Sequence, residues 1–258
     1  MTKKYTFVAN WKMYLNFDES IKYITDNMDA LINLAQLPDT KIVIGPSFPM
    51  IYPMTHMLKS SKIEFSAQDC STHANGAFTG QVSVKTLSEI GCKYCIIGHS
   101  EIRHYNNETD EIVAKKIDLL IDQKISPIIC IGENESQKKD GHTFSVLEEQ
   151  IKNVLELVKI ECNKLNGLPI FIAYEPLWSI GSGTIPEKDH LETVFAWLHG
   201  QVQKNSASTH WNLLYGGSLS EENIAAFKKI DYLSGFLIGK SSTNFQEFEK
   251  IVKKIYYS

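Results

Sequence analysis

The sequence predicts an α/β protein folded as a single (β/α)8 barrel, and three observations lead there. Apolar runs recur eight times, amphipathic helical stripes lie between them, and the residues that end the runs carry groups able to do chemistry. The runs fall at 5–10, 42–45, 63–67, 94–98, 127–132, 170–175, 211–215 and 235–239. Most are too continuous to have one wet face, as parallel strands covered on both sides require.

The stripes follow in order. Ile21, Ile24, Met28, Leu31 and Ile32 share one helical face; so do Val113, Ile117, Leu120 and Ile121, and so do Leu147, Ile151, Val154, Leu155 and Val158. Leu191, Val194, Phe195, Leu198 and Val202 form a later stripe, and Phe245, Phe248, Ile251, Val252 and Ile255 the last. These are core-packing faces. The second helix is interrupted by Pro53, and the third is short, near residues 82–90. Ser218 with Glu221 three residues on has capping-box spacing, which predicts a helix start.

Alternating strands and helices fit an open doubly wound sheet as well as a closed barrel. The strand exits separate the two. Asn10 and Lys12 follow the first run, His99 the fourth, Glu175 the sixth, Gly216 and Gly217 the seventh, and Gly239 the eighth. In an open sheet only the strands beside the switch point share a crevice, whereas a barrel brings every carboxyl end round one mouth. The third run is followed by a connection from Gln68 to Gln81, longer than the usual ~2–6 residues and carrying Phe78 near its tip. Such a tip either folds back on its own barrel or enters a partner.

A chain of 258 residues, 43% hydrophobic and 22% charged, suits one domain over 1–258, and no Pro/Gly/Ser-rich linker divides it. A net charge of −4 spread over both halves argues against a nucleic-acid or anionic-membrane surface. The start, MTKKYTF, has charge but no apolar segment behind it, and no apolar run approaches ~20 residues; no signal peptide, no membrane span and a cytoplasmic location are expected. Five cysteines, an odd number, fit a reducing compartment. Cys92 and Cys95 form a CxxC at a strand entry, where residues three apart face opposite ways, so they read as buried structural thiols.

The stretch AYEPLWSIGSG (173–183) holds the most chemistry. An apolar strand delivers Glu175 and breaks at once into Pro176 and a loop with Gly181 and Gly183, the pattern of a site with a lid. Taken singly, Glu175 is as good a strand-end carboxylate as a base, His99 a helix cap, Lys12 a solvated side chain, and the glycines turn residues. Their joint placement at strand ends favours a site. No metal-ligand spacing, P-loop, GxGxxG or GxSxG is present, so chemistry without metal or nucleotide is expected. Glycine turns offering backbone N–H groups at the sixth to eighth strand ends, with Ser218 opening a helix, read as a phosphate site. A carboxylate base beside an imidazole and a cation is what proton abstraction next to a carbonyl needs, on a small phosphorylated aldose or ketose.

NWKM (10–13), GAFTG (76–80), GHSEIR (98–103), CIGE (130–133), AYEPLWSIGSG (173–183) and YGGS (215–218) resemble the motifs of the triosephosphate isomerase family, in its order and across nearly the whole chain. That family is itself a standard worked case of pKa tuning and loop closure, so the roles below come with the resemblance. It implies a homodimeric TIM barrel without cofactor that interconverts dihydroxyacetone phosphate and glyceraldehyde 3-phosphate. Glu175 is then the base, His99 a neutral electrophile, Lys12 the stabiliser of oxyanion and phosphate, and Asn10 a substrate-orienting group. Glu101 pairs with Lys12, and Ser100 holds Glu175 in the open state. Gly181, Ser218, Gly216, Gly217 and Gly239 serve phosphate, and Thr79 with Phe78 enters the neighbouring subunit.

Three positions depart from the family. Lys240 replaces a second glycine, bringing strain if its φ is positive and an added ammonium if not. Ile102 and Gln81 replace an arginine and an acid that resemble a subunit-crossing ion pair, so both ends are neutral. The far hinge, Thr184-Ile185-Pro186, is stiffened by proline. A different phosphosugar barrel, or a barrel that has lost catalysis and serves in binding, are the competing readings.

Overall fold

A computed structural model describes residues 3–180, 185–205 and 209–257. Its eight strands are β1 (Tyr5–Asn10), β2 (Thr40–Gly45), β3 (Glu64–Ala67), β4 (Tyr94–Ile97), β5 (Ser126–Ile131), β6 (Ile170–Tyr174), β7 (Trp211–Tyr215) and β8 (Leu233–Ile238). They pair in sequence order, and β8 returns to β1, with Thr6 opposite Gly235, so the sheet closes into a parallel (β/α)8 barrel. Each strand coincides with one apolar run. The ends differ because β2 and β8 begin two residues before their runs, and β4 and β6 stop before the chemically distinctive residue that follows.

Side chains alternate between two layers, as the strand period dictates. Val8, Ile96, Ile128, Leu214 and Leu237 point into the barrel, where they form one buried cluster. Phe7, Ile97 and Ile129 face outward and join the helical stripes, among them Ile24, Ile117, Phe195 and Phe248. Both layers are dry. Truncating a residue such as Ile96, which is 0% exposed, to alanine is expected to cost about 2–5 kcal/mol.

The five stripes lie on helices Phe17–Leu34, Asp110–Asp122, Thr143–Ile160, Lys188–Asn205 and Phe245–Tyr257. The first starts on a capping box in which Asn16 and Glu19 satisfy each other's backbone N–H groups. Pro53 does not interrupt its helix, which runs from Phe48 to Met57; the single bond forfeited is the one to the Pro49 carbonyl, within the first turns. Cys92 precedes β4 rather than sitting in it, so it and Cys95 do not take opposite faces; both lie buried in the outer core beside Cys70. Burial pushes the Cys92 thiol up to about 12. No helix among the described residues is long and apolar enough to cross a membrane.

Candidate active site

The carboxyl ends of the strands surround a cavity of about 210 Å³ that collects Asn10, Lys12, His99, Glu175, Gly216, Gly217, Ser218, Gly239 and Lys240. These residues are up to 230 positions apart in the chain and meet only because the barrel closes.

The end of β1 sets the cation. Asn10 is buried, and its Oδ1 accepts the backbone N–H of Lys12 at 3.1 Å. Lys12 has φ +50°, a left-handed conformation that an L-residue enters at a cost of about 1–3 kcal/mol. A second bond holds it there: Gln68 Nε2, just past β3, donates to the carbonyls of Lys12 (2.8 Å) and Gly45 (2.9 Å). From this turn the Lys12 ammonium reaches Glu101 Oε1 at 2.7 Å.

Past β4, His99 caps the helix Ser100–Asn106. Its Nδ1 accepts the Glu101 N–H at 3.2 Å, which requires a lone pair on Nδ1 and places the imidazole proton on Nε2. That Nε2 stands 3.4 Å from Glu175 Oε1. Glu175 is 3% exposed and its Oε2 has no hydrogen-bond partner. A desolvated carboxylate with an unused oxygen retains acceptor capacity for a proton from a bound molecule.

Two glycines make room for Glu175, one for its backbone and one for its side chain. A Cβ on Gly132 would lie 1.8 Å from the Glu175 carbonyl oxygen, and one on Gly216 would lie 2.8 Å from Glu175 Cγ. The Cys130 thiol is held protonated, first by burial and then by the negative charge of Glu175. Ser100 makes no hydrogen bond to Glu175; the carboxylate faces His99 instead. Ser100 and Glu175 both border a second cavity of about 260 Å³.

The side of the cavity expected to take an anion differs from expectation at Ser218. No helix begins there, and the capping box does not form. The Ser218 hydroxyl instead donates to the Ser179 carbonyl at 2.6 Å, Asn223 Nδ2 donates to the Ser218 carbonyl at 3.2 Å, and the helical turn comes later, at Ile224–Phe227. A helical turn does open on the cavity, but it is the 3-10 turn Lys240–Thr243 that follows Gly239. The first N–H groups of such a turn have no partner within it, which suits an anion. Lys240 does not occupy the left-handed region, so its side chain brings no backbone strain, and the residue borders the cavity.

Gly181, the lid tip 181–184 and the Thr184 end of the hinge lie outside the described residues. The start of the segment expected to form a lid is described. Trp178 Nε1 donates to Glu133 Oε1 at 2.9 Å, and Leu177 N–H donates to the Glu133 carbonyl at 3.0 Å. In the connection after β3, Phe78 and Thr79 are exposed, with the Phe78 ring stacked 3.6 Å from that of His73. Its root is closed by Ser71, whose N–H donates to the Val82 carbonyl (2.9 Å) and whose hydroxyl donates to Gln81 Oε1 (2.5 Å).

Gln68, Gly132 and Glu133 were not among the residues singled out by sequence, although CIGE contains two of them. The available signal was their position: each lies within two residues past a strand end, as Lys12, His99 and Glu175 do.

The chain matches the family model described as triosephosphate isomerase over residues 5–255. It is 36% identical over 249 residues to the triosephosphate isomerase of Aquifex aeolicus, covering 95% of this chain and 96% of that protein. Its identity to the enzymes of that name from Endomicrobium trichonymphae and Thermodesulfovibrio yellowstonii is 33% over 254 residues and 35% over 256, with at least 97% of either chain covered. With the motifs in register over a closed barrel, the chain belongs to the triosephosphate isomerase family of aldose–ketose isomerases.

Proposed function

We propose that this chain interconverts dihydroxyacetone phosphate and D-glyceraldehyde 3-phosphate through an enediolate, in the manner already worked out for its family. The observation that carries the reading is the 3.4 Å approach of Glu175 Oε1 to His99 Nε2 at the mouth of the barrel.

Glu175 removes a proton from the carbon beside the carbonyl, and the electron pair moves onto the carbonyl oxygen. His99, with its proton on Nε2, hydrogen-bonds that oxygen as charge develops. Lys12 lies between the reacting oxygens and the phosphate and offsets both charges, while Asn10 orients the hydroxyl-bearing carbon. Glu175 then returns the proton to the neighbouring carbon, completing the aldose–ketose exchange. Gly217, Gly239 and Lys240 hold the phosphate through backbone N–H groups and one ammonium, with Ser218 contributing beside Gly217 and Gly181 from the lid; the Gly216 N–H is used by the Tyr174 carbonyl at 2.9 Å, so Gly216 serves the site by leaving room for Glu175 rather than as a donor. Ser100 is the resting partner of Glu175 when the carboxylate swings away from His99. Closure of the lid excludes water and keeps the enediolate from expelling phosphate.

The functional unit is a homodimer in the cytoplasm, with Phe78 and Thr79 of one protomer packed beside Asn10 and Lys12 of its partner. Exposed Met13 and Phe78 supply an apolar surface suited to that contact.

A coupled turnover assay with either triose phosphate tests the reading. The wild-type chain turns over both substrates, and Glu175→Ala lowers kcat by about 10²–10⁴-fold without disturbing the fold. A well-folded wild type with no turnover would leave a binding protein as the better description.

A further inference from the structure

We propose that His190 is a positioning residue for the base: by donating its Nε2–H to Tyr174 it completes a hydrogen-bonded chain that fixes the segment carrying Glu175. This rests on the role given to Glu175 above. The chain runs from His190 Nε2 to Tyr174 Oη (3.0 Å), from Tyr174 Oη to Glu133 Oε1 (3.0 Å), and from Trp178 Nε1 to the same oxygen (2.9 Å).

The direction of each bond follows from proton counting. Glu133 is 0% exposed, and of its two carboxylate oxygens only Oε1 has partners among the described residues. A phenol has one proton. If Tyr174 turned that proton toward His190, its own lone pair would face the carboxylate lone pairs at 3.0 Å in a dry site, which is repulsive. Tyr174 therefore donates to Glu133, and its oxygen needs a donor, which the imidazole supplies. Burial and the Glu133 charge both keep Tyr174 in the phenol form, so the chain has one orientation.

What this chain holds is the base. Tyr174 immediately precedes Glu175, and Trp178 follows it by three residues. Between them, Glu175 N–H donates to the Ile131 carbonyl at 2.7 Å and Leu177 N–H to the Glu133 carbonyl at 3.0 Å. The segment 174–178 is thus fastened at both ends to Glu133 and along its backbone to the end of β5. His190 comes from the first turn of Lys188–Asn205, and Lys138, from the helix Glu135–Lys139, places its ammonium 3.2 Å from the centre of the Trp178 ring. The His190 ring meets Trp178 edge-on at 5.9 Å. Two helices that do not line the cavity holding Lys12 and His99 therefore set the rotation of the residues flanking the base.

The test is a double-mutant cycle on the full-length enzyme, reading kcat and KM separately. His190→Ala should lower kcat roughly tenfold with KM changed less than about twofold, as expected for a misplaced catalytic group rather than a lost substrate contact. His190→Gln, which keeps an N–H donor, should restore most of the loss. In a Trp178→Phe background the His190→Ala effect should shrink markedly, because the two act through one carboxylate. Tyr174→Phe removes the link while leaving the imidazole, and should lower kcat by a similar factor; it carries the test if His190→Ala does not fold. Unchanged kcat in His190→Ala or Tyr174→Phe overturns the proposal. So do equal losses in the Ala and Gln variants, or effects of His190 and Trp178 that simply multiply. A wild type without activity would instead refute the role of Glu175, which separates the two failures.

Discussion

Asn10 Oδ1 accepts the backbone N–H of Lys12 at 3.1 Å, and across that bond Lys12 sits at φ +50° with its ammonium 2.7 Å from Glu101. A side-chain amide thus stabilises a backbone conformation that lysine disfavours, and that conformation aims the charge. Asn10→Ala removes both an oriented amide and the restraint on the turn. We expect kcat/KM to fall at least about tenfold and the unfolding free energy by about 1–3 kcal/mol, the size of one buried polar loss. Steady-state kinetics beside urea titration checks both, and loss of activity without loss of stability would show that the turn holds itself.

At Lys240 the two effects of one substitution can be read apart. Because its φ is not positive, glycine there relieves no strain and adds freedom to the unfolded chain, so Lys240→Gly should destabilise by about 0.4–1 kcal/mol. Lys240→Met keeps the backbone preference but deletes the charge, and should weaken inhibition by inorganic phosphate a few-fold, an exposed ammonium contributing at most about 1 kcal/mol. Phosphate inhibition constants for the two variants measure this. Equal affinity in Lys240→Met and wild type would leave the backbone as the whole anion site.

His190 gives stability a pH dependence of definite sign. Burial is the foremost cause lowering its pKa below 6.5; Lys138 acts the same way, while Glu133 and Glu187 oppose it. The fold therefore favours the neutral ring, and below 6.5 the unfolded chain binds more protons at this position than the folded one. The contribution is fully present above 6.5 and is lost as pH falls. Wild type should lose more unfolding free energy than His190→Gln between pH 7.5 and pH 5, measured by denaturant titration at each pH. A parallel decline in the two proteins would place the titration elsewhere.

The barrel was legible because a parallel strand covered on both faces leaves a continuous apolar run, as β5 and β6 do, and most of the others come close to one. The residues meeting at the mouth were legible as strand exits. What escaped were contacts whose partners lie far off in sequence: Gln68 on the Lys12 carbonyl, 56 positions away, and Tyr174 on Glu133, 41 positions away. No local pattern marks an acceptor on another strand. Ser218 failed for the same reason in reverse. Its spacing to Glu221 was right for a cap, but its hydroxyl found the Ser179 carbonyl, 39 positions away, and the local motif lost to the tertiary one.

The proposed dimer is expected to be insensitive to salt. Gln81 reads as one neutral end of a subunit-crossing pair in the resembled pattern, and its Oε1 is used within the chain by the Ser71 hydroxyl at 2.5 Å. Ile102 reads as the other neutral end, and both border the same cavity of about 360 Å³. With neither end charged, the proposed dimer is expected to have no ion pair crossing between protomers at this point and to be held there by apolar groups such as Phe78. Screening shortens the reach of charges from about 10 Å at 0.1 M salt to about 3 Å at 1 M, so an interface held by ion pairs would weaken over that range. The dissociation constant from sedimentation should change less than about threefold across it, whereas Gln81→Glu with Ile102→Arg should make it rise with salt, each exposed pair being worth about 0.2–1 kcal/mol at low ionic strength. A steep salt dependence in the wild type would mean that other charges, not these two positions, hold the protomers together.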